Sequence, residues 1–170
     1  MLILGFEYPD DCFFYLDHDM WCRQLGDGLV QVGVSAFGIY LSSDFYMCRP
    51  KPAGTELAQG QTLAVAELSK SIVPLKTPVS GVITAINPLL ENTPEVIHRD
   101  PYGTGWLVTI KPADWQRDLE KLAHGTLLAE AAATRMRLEV LPPAASGSAS
   151  ASASASASAS EDDASGGAKQ

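Results

Sequence analysis

The sequence has little of what catalytic and metal-binding proteins display. Its 170 residues include three cysteines, Cys12, Cys22 and Cys48, and no Cys-x-x-Cys pair. An odd, scattered set argues against a disulfide framework and against a zinc site, and leaves two readings for Cys22 and Cys48, reactive thiols or the small buried hydrophobes that lone cysteines more often are. The three histidines, His18, His98 and His124, stand far apart and in no metal-ligand spacing. There is no glycine-rich phosphate loop and no serine nucleophile elbow. The acid pair Asp10-Asp11 reads as solvated loop charge rather than as a general acid and base. Positive charge is scarce: 12 Lys and Arg against 20 Asp and Glu leave a net charge of -8. Phosphate contacts need the opposite balance, so no nucleic-acid partner is expected. No 18-residue apolar run exists, and the longest uncharged stretch, Gly28 to Ser43, is interrupted by Gln31, Ser35, Ser42 and Ser43. No membrane-spanning helix is therefore expected. The opening Met1 to Phe6 lacks a basic segment and a small-residue cleavage site, which predicts a cytoplasmic protein.

What is present divides in two. From Ala144 to Gln170 the chain holds 10 Ala and 9 Ser, mostly alternating, with no aromatic, β-branched or large aliphatic residue. Such a segment buries too little surface to offset its chain entropy, which predicts a disordered, solubilising tail over 144–170. Residues 1–143 carry the apolar residues of one ordinary domain. Most of that domain reads as β. Val30, Val32 and Val34 alternate as in a strand, Ser35 is placed to cap a short helix through Leu41, and Asp44 returns the chain to a strand. Arg49 to Gly54 cannot lie in a central strand, since its two prolines lack ladder donors. Strands are expected over Gly60–Glu67, over Ile72–Lys76 with Pro74 breaking or bulging it, over Val82–Ile86, and over Gly105–Ile110. Short strands at this spacing suggest a compact barrel or sandwich. Pro112 suits a helix start, which predicts a helix over Ala113–Ala123 with Trp115, Leu119 and Leu122 on its packed face. Thr126 is placed to cap a second, Leu127–Leu138, stopped by Pro142-Pro143.

One residue stands in a position suited to chemistry. Lys70 lies between Ser69 and Ser71, at the expected tip of a β-hairpin, with Glu67 three residues before it. A lysine there projects beyond the sheet, where another protein can grip the domain and acylate the amine. By spacing alone it is an ordinary turn lysine.

A resemblance gives that position its meaning. Glu67-Leu-Ser-Lys70-Ser71 resembles the E-S-V-K-A segment of the glycine cleavage system H proteins. Val82 through Asn87-Pro-Leu-Leu-Glu91 resembles their G-x-V-x-x-x-N-x-x-L, and Pro94-Glu95, Asp100-Pro-Tyr-Gly103 and Gly105-Trp106 match P-E-x-x-N-x-D-P-Y-G-x-G-W, with His98 where asparagine is usual. Val32-Gly-Val-Ser35 resembles V-G-I-T, and His18 with Trp21 resembles H-x-W with one residue inserted. The resemblance spans residues 8–115 and implies a mainly β fold, a flattened two-sheet lipoyl-domain barrel (a barrel-sandwich hybrid) with flanking short helices and C-terminal helices. It also implies a non-catalytic carrier with lipoate on Lys70 and Glu67 near the lysine tip. The cofactor would be attached by a lipoate ligase or lipoyl transferase. Structural roles are expected for the rest of the string: a tight turn at Pro101 and Gly103, close passage at Gly105, entry of Trp106 into the core, and a short helix or turn opened at Asn87-Pro88.

The departures fall around the lysine. Where the family has L-G-D-I-V-F-V-E-L-P-E, this chain has Ser42 to Pro52, keeping Asp44 and placing Arg49 and Pro52 at two acidic positions, beside Lys51. Ser69 replaces the valine of the tip, and Ser71-Ile-Val-Pro74 replaces the usual S-D-L-Y. This variant looks like the H-like lipoate-binding proteins of bacterial sulfur oxidation, which implies service to a heterodisulfide-reductase-like complex. The alternative is a glycine cleavage carrier of the aminomethyl group, with glycine decarboxylase, aminomethyltransferase and dihydrolipoyl dehydrogenase as partners. A biotinyl carrier would flank its lysine with methionines, and an unmodified interaction protein would keep the fold alone.

Overall fold

The computed structural model describes residues 1–140, and the expected stop at Pro142-Pro143 and the Ala-Ser tail lie outside the described residues. A small hairpin, β1 (Leu2–Ile3) and β2 (Phe6–Glu7), precedes the sheets and was not evident in the pattern of residues. Then follow β3 (Phe13–Tyr15), β4 (Met20–Gln24) and β5 (Val30–Val34), helix α1 (Ala36–Ser42), β6 (Phe45–Pro50), β7 (Glu56–Leu57), β8 (Thr62–Leu68), β9 (Ile72–Lys76) and β10 (Gly81–Ile86). Helix α2 (Val96–Arg99), β11 (Val108–Pro112), α3 (Trp115–Leu119) and α4 (Thr126–Val140) complete the order. Six strands form one antiparallel sheet in the order β3-β4-β5-β11-β10-β7; β6, β8 and β9 form the other, with β8 central. This is the mainly β, two-sheet lipoyl-domain fold; its two sheets do not close into one continuous barrel.

Two apolar clusters hold it. Between the sheets pack Val30, Val32, Cys48, Leu63, Ala66 and Ile110, among others. On the outer side of the larger sheet, Trp21, Phe14, Tyr8 and Phe37 pack with Leu128, Ala132 and Met136 of α4. These last three recur every four residues, so one stripe of α4 faces the sheet. The side chain of Asp118 is fully buried, and it accepts hydrogen bonds from Ser80 N (2.5 Å) and Ser80 Oγ (2.6 Å).

Several expectations are met. Ser35 caps α1, its Oγ accepting from Gly38 N at 3.1 Å. Asn87 opens a 3-10 turn over Pro88–Leu90, its Oδ1 accepting from Leu89 N. Asp100 Oδ2 accepts from Thr104 N and Thr104 Oγ1, and Gly105 N donates to Asp100 O at 2.8 Å. A Cβ on Gly105 would press on the Val96 carbonyl and come within 2.7 Å of Asp100 O, so the close passage is real.

Others are corrected. Pro112 ends β11 rather than starting a helix: at a strand's last residue its missing N–H breaks no ladder bond. Helix α3 begins later, capped by Asp114, whose Oδ1 accepts from Arg117 N, and it spans five residues, not eleven. Thr126 is the first residue of α4 rather than a cap outside it, following Gly125 at φ +65. Pro74 neither breaks nor bulges β9, because β9 is an edge strand; the bulge lies between Thr62 and Ala64 of β8. The strand after Gly105 starts at Val108, and Leu107, not Trp106, enters the core. Trp106 is half-buried, and Trp21 is the tryptophan that is fully buried. The alternation around Val32 fails at Gly33, which is buried because the Trp21 indole lies against it.

Candidate lipoyl-lysine hairpin

Lys70 is at the tip of the β8–β9 hairpin, as its sequence position predicts. Glu67 pairs with Ile72, and Leu68 N donates to Ser71 O at 2.8 Å, so Ser69 and Lys70 alone form the loop. Both have negative φ, unlike the mirror-image turns that two-residue hairpins favour. Ser69, Lys70 and Ser71 are exposed. Among the described residues, no hydrogen bond or ion pair engages the Lys70 ammonium. An exposed, unpaired amine flanked by small side chains fits amide linkage to a carboxylic acid cofactor, since nothing has to move for the amine to be reached.

The base of the hairpin is tied down. Thr77 N donates to Gln61 O and Gly60 N to Thr77 O, both at 2.8 Å, which extends the ladder past the strand ends. Gln59 Nε2 donates to Pro78 O (2.9 Å) and to Asp118 O (2.8 Å). With the Asp118–Ser80 bonds, these contacts join the hairpin's exit to α3. Sequence patterning missed Gln59, Ser80 and Asp118: a polar residue in a loop does not announce burial. The Asp-Leu step after Trp115 gives no such signal either.

Glu67 sits near the tip without touching the lysine. It lies on the outer face of β8, exposed, with no ion pair among the described residues. Cys12, Cys22 and Cys48 are all buried free thiols. Burial pushes Cys12 and Cys48 up to about 12 and raises Cys22 further, so none is a thiolate near neutral pH. No group of three or more metal-ligating side chains occurs among the described residues. No helix there is long and apolar enough to cross a membrane. A groove of about 680 Å³ runs between β6 and the Pro88–Leu90 turn, lined by Tyr46, Cys48, Arg49, Ile86 and Glu91, away from the lysine.

Comparison with known proteins agrees with this geometry. The family model described as glycine cleavage H-protein matches residues 13–135. The chain is 34% identical over 125 residues to the glycine cleavage system H protein of Mycobacterium avium, covering 74% of this chain and 93% of that one. It is 35% identical over 124 residues to glycine cleavage system H protein 3 of Aquifex aeolicus, covering 71% and 77%. The crystal structure of a glycine cleavage system H protein from Mycobacterium marinum superposes with TM-score 0.60 at 27% identity, covering 79% of this chain and all of that one. Proteins of this kind carry lipoate covalently on a lysine and are carriers rather than catalysts. By the match over most of its length, the chain belongs to the glycine cleavage H-protein family.

Proposed function

We propose that this protein is a lipoyl carrier whose Lys70 bears lipoate as a swinging arm, serving glycine cleavage. The observation that carries the assignment of the arm is the unpaired Lys70 amine on a hairpin tip whose base is anchored through Gln59, Thr77 and Asp118. When bound, lipoate supplies a dithiolane that cycles between disulfide, dithiol and substrate adduct. The chain supplies the rest. Lys70 gives the attachment atom, the two serines leave it open, and the strapped hairpin fixes the point from which the arm swings. Tethering raises the effective concentration of the carried group at each enzyme visited. The partners that follow are a lipoate ligase or lipoyl transferase, glycine decarboxylase, aminomethyltransferase and dihydrolipoyl dehydrogenase. Residues 1–143 form the carrier unit in this reading, with 144–170 as a solubilising extension, in the cytoplasm.

The names of the relatives favour glycine cleavage over the sulfur-oxidation role that the substitutions around Lys70 suggested. One observation supports the second reading: Arg49 and Lys51 place cations on the arm-bearing sheet, where the family's run is acidic. The lipoylated chain should support exchange of glycine's carboxyl carbon with bicarbonate when mixed with glycine decarboxylase. Absence of exchange, with lipoate present and reducible, would turn the assignment to a heterodisulfide-reductase-like complex.

A further inference from the structure

The solvent face of the arm-bearing sheet combines exposed apolar side chains with positive charge. Pairing places Arg49, Val65 and Pro74 in one row across β6, β8 and β9, and Met47, Glu67 and Ile72 in the next row toward the tip. Paired residues share a face, so these side chains point together, and five of the six are exposed. Val65 is 44% exposed and Ile72 70%, two β-branched side chains adjacent on one face beside exposed Pro74. Arg49 and exposed Lys51 edge this apolar stripe on the β6 side. Half-buried Lys76 closes its base, its ammonium donating to Thr62 Oγ1 at 3.0 Å. Residues 45–76 carry four cationic and two acidic side chains, a net +2, in a chain of net -8. The remainder of the chain therefore carries -10. The stretch that carries the arm is thus net positive in a net-negative chain.

We propose that the outer face of the β6–β8–β9 sheet is the docking surface for the enzyme that acylates Lys70, and that this enzyme presents an apolar centre with an acidic rim. The inference rests on the carrier reading above. Met47, Val65, Ile72 and Pro74, interrupted by Glu67 and edged by Arg49 and Lys51, give the mixed apolar and charged layout of a transient protein interface. Its position is set by the chemistry, since the acylating enzyme must cover the tip while its active site holds the amine. Charge complementarity sets the partner's sign: an acidic rim is drawn to the cations of this stretch, while the rest of the chain is net negative. Acylation also changes the face. The neutral amine forms a C–N bond to the acyl carbon of an activated lipoyl donor, whose leaving group departs with the bonding electron pair while the nitrogen loses a proton to solvent. The product is an uncharged amide, so the sheet falls from +2 to +1. The acidic partner thus holds the substrate more tightly than the product, which favours release.

The test uses the full-length unmodified chain, a recombinant bacterial lipoate ligase, lipoate and ATP, with initial rates read by intact mass. Arg49→Glu/Lys51→Glu should lower kcat/KM about tenfold, mainly through KM, because rim charges act on encounter. Val65→Thr, which keeps β-branching, should lower it several-fold. Lys121→Glu/Arg137→Glu makes the same change in net charge at exposed positions off this sheet, and should stay within about twofold. Raising salt from about 50 to about 300 mM should slow the wild type and leave the Arg49/Lys51 variant little changed. Equal rates for wild type and the Arg49/Lys51 variant, or an equal fall in the remote control, would overturn the docking face while leaving the carrier reading intact. A chain that gains no lipoyl mass would overturn both. A dimer in sedimentation that Val65→Thr dissolves would give the face to a second copy and refute the proposal.

Discussion

Trp21 and Trp106 offer a sharp trial of where the core lies. Trp21 is fully buried, its Nε1 donates to Pro101 O at 3.0 Å, and its ring lies on Gly33 and beside Tyr102, with 5.7 Å between ring centroids. Replacing it with alanine removes a whole buried indole, a change of about 3–5 kcal/mol. Leaving the Pro101 carbonyl without a partner adds about 1 kcal/mol. Gly33 has no side chain to close over the gap, so Trp21→Ala belongs at the upper end, about 5 kcal/mol. That is a large share of the roughly 5–15 kcal/mol that holds a typical domain folded. Trp21→Phe keeps most of the apolar contact and loses the N–H, so it should cost about 1–2 kcal/mol. Trp106 is half-buried, and Trp106→Ala should cost about 1–2 kcal/mol, since only part of its surface leaves water on folding. Urea titrations followed by far-UV circular dichroism give all three values, provided the slope stays constant. A Trp106→Ala loss equal to that of Trp21→Ala, or a Trp21→Phe loss as large as that of Trp21→Ala, would refute the packing described.

Three further outcomes follow from the same contacts. Asp118→Ala leaves Ser80 N and Oγ without their buried acceptor and should cost about 3 kcal/mol in urea; a loss under about 1 kcal/mol would mean the carboxylate does not anchor the hairpin's exit. Burial raises Asp19 to about 6 despite Arg135 Nη2 at 2.9 Å, with Glu139 and Asp17 adding to the rise. A carboxyl raised in the fold contributes stability at low pH and loses it as pH climbs through about 6. The wild type should therefore lose about 2 kcal/mol relative to Asp19→Asn between about pH 4 and about pH 7; a pH-independent difference would contradict this. The three buried thiols should resist an aromatic disulfide reagent in the native state and react promptly in denaturant, and fast native labelling of any one would place it at the surface.

How far the sequence carried depends on the range of the interactions. The Lys70 tip was legible because a hairpin is local: two β-rich runs and a polar turn fix it. The Ser35 cap and the Asn87 turn were legible for the same reason. Pro112 misled because proline suits the first turn of a helix and the end of a strand equally, and only pairing with Gly81 decides between them. Trp106 misled because both tryptophans look alike in sequence, whereas Trp21's burial depends on Gly33, Pro101 and Tyr102, distant in the chain. The outer face of the small sheet was hidden too. Arg49, Val65 and Pro74 meet only once the register is known.

The central claim is that this chain carries one lipoyl group on Lys70, and mass spectrometry tests it most directly. Full-length protein from cells that make lipoate should show the mass increase of a single lipoyl amide, mapped by peptide fragmentation to Lys70. Lys70→Arg should abolish the increase without unfolding the hairpin, because a guanidinium keeps the charge but is a poor nucleophile. Lys51→Arg and Lys76→Arg should keep it. Wild-type protein of unmodified mass from such cells, or a lipoyl group still present on Lys70→Arg, would contradict the account.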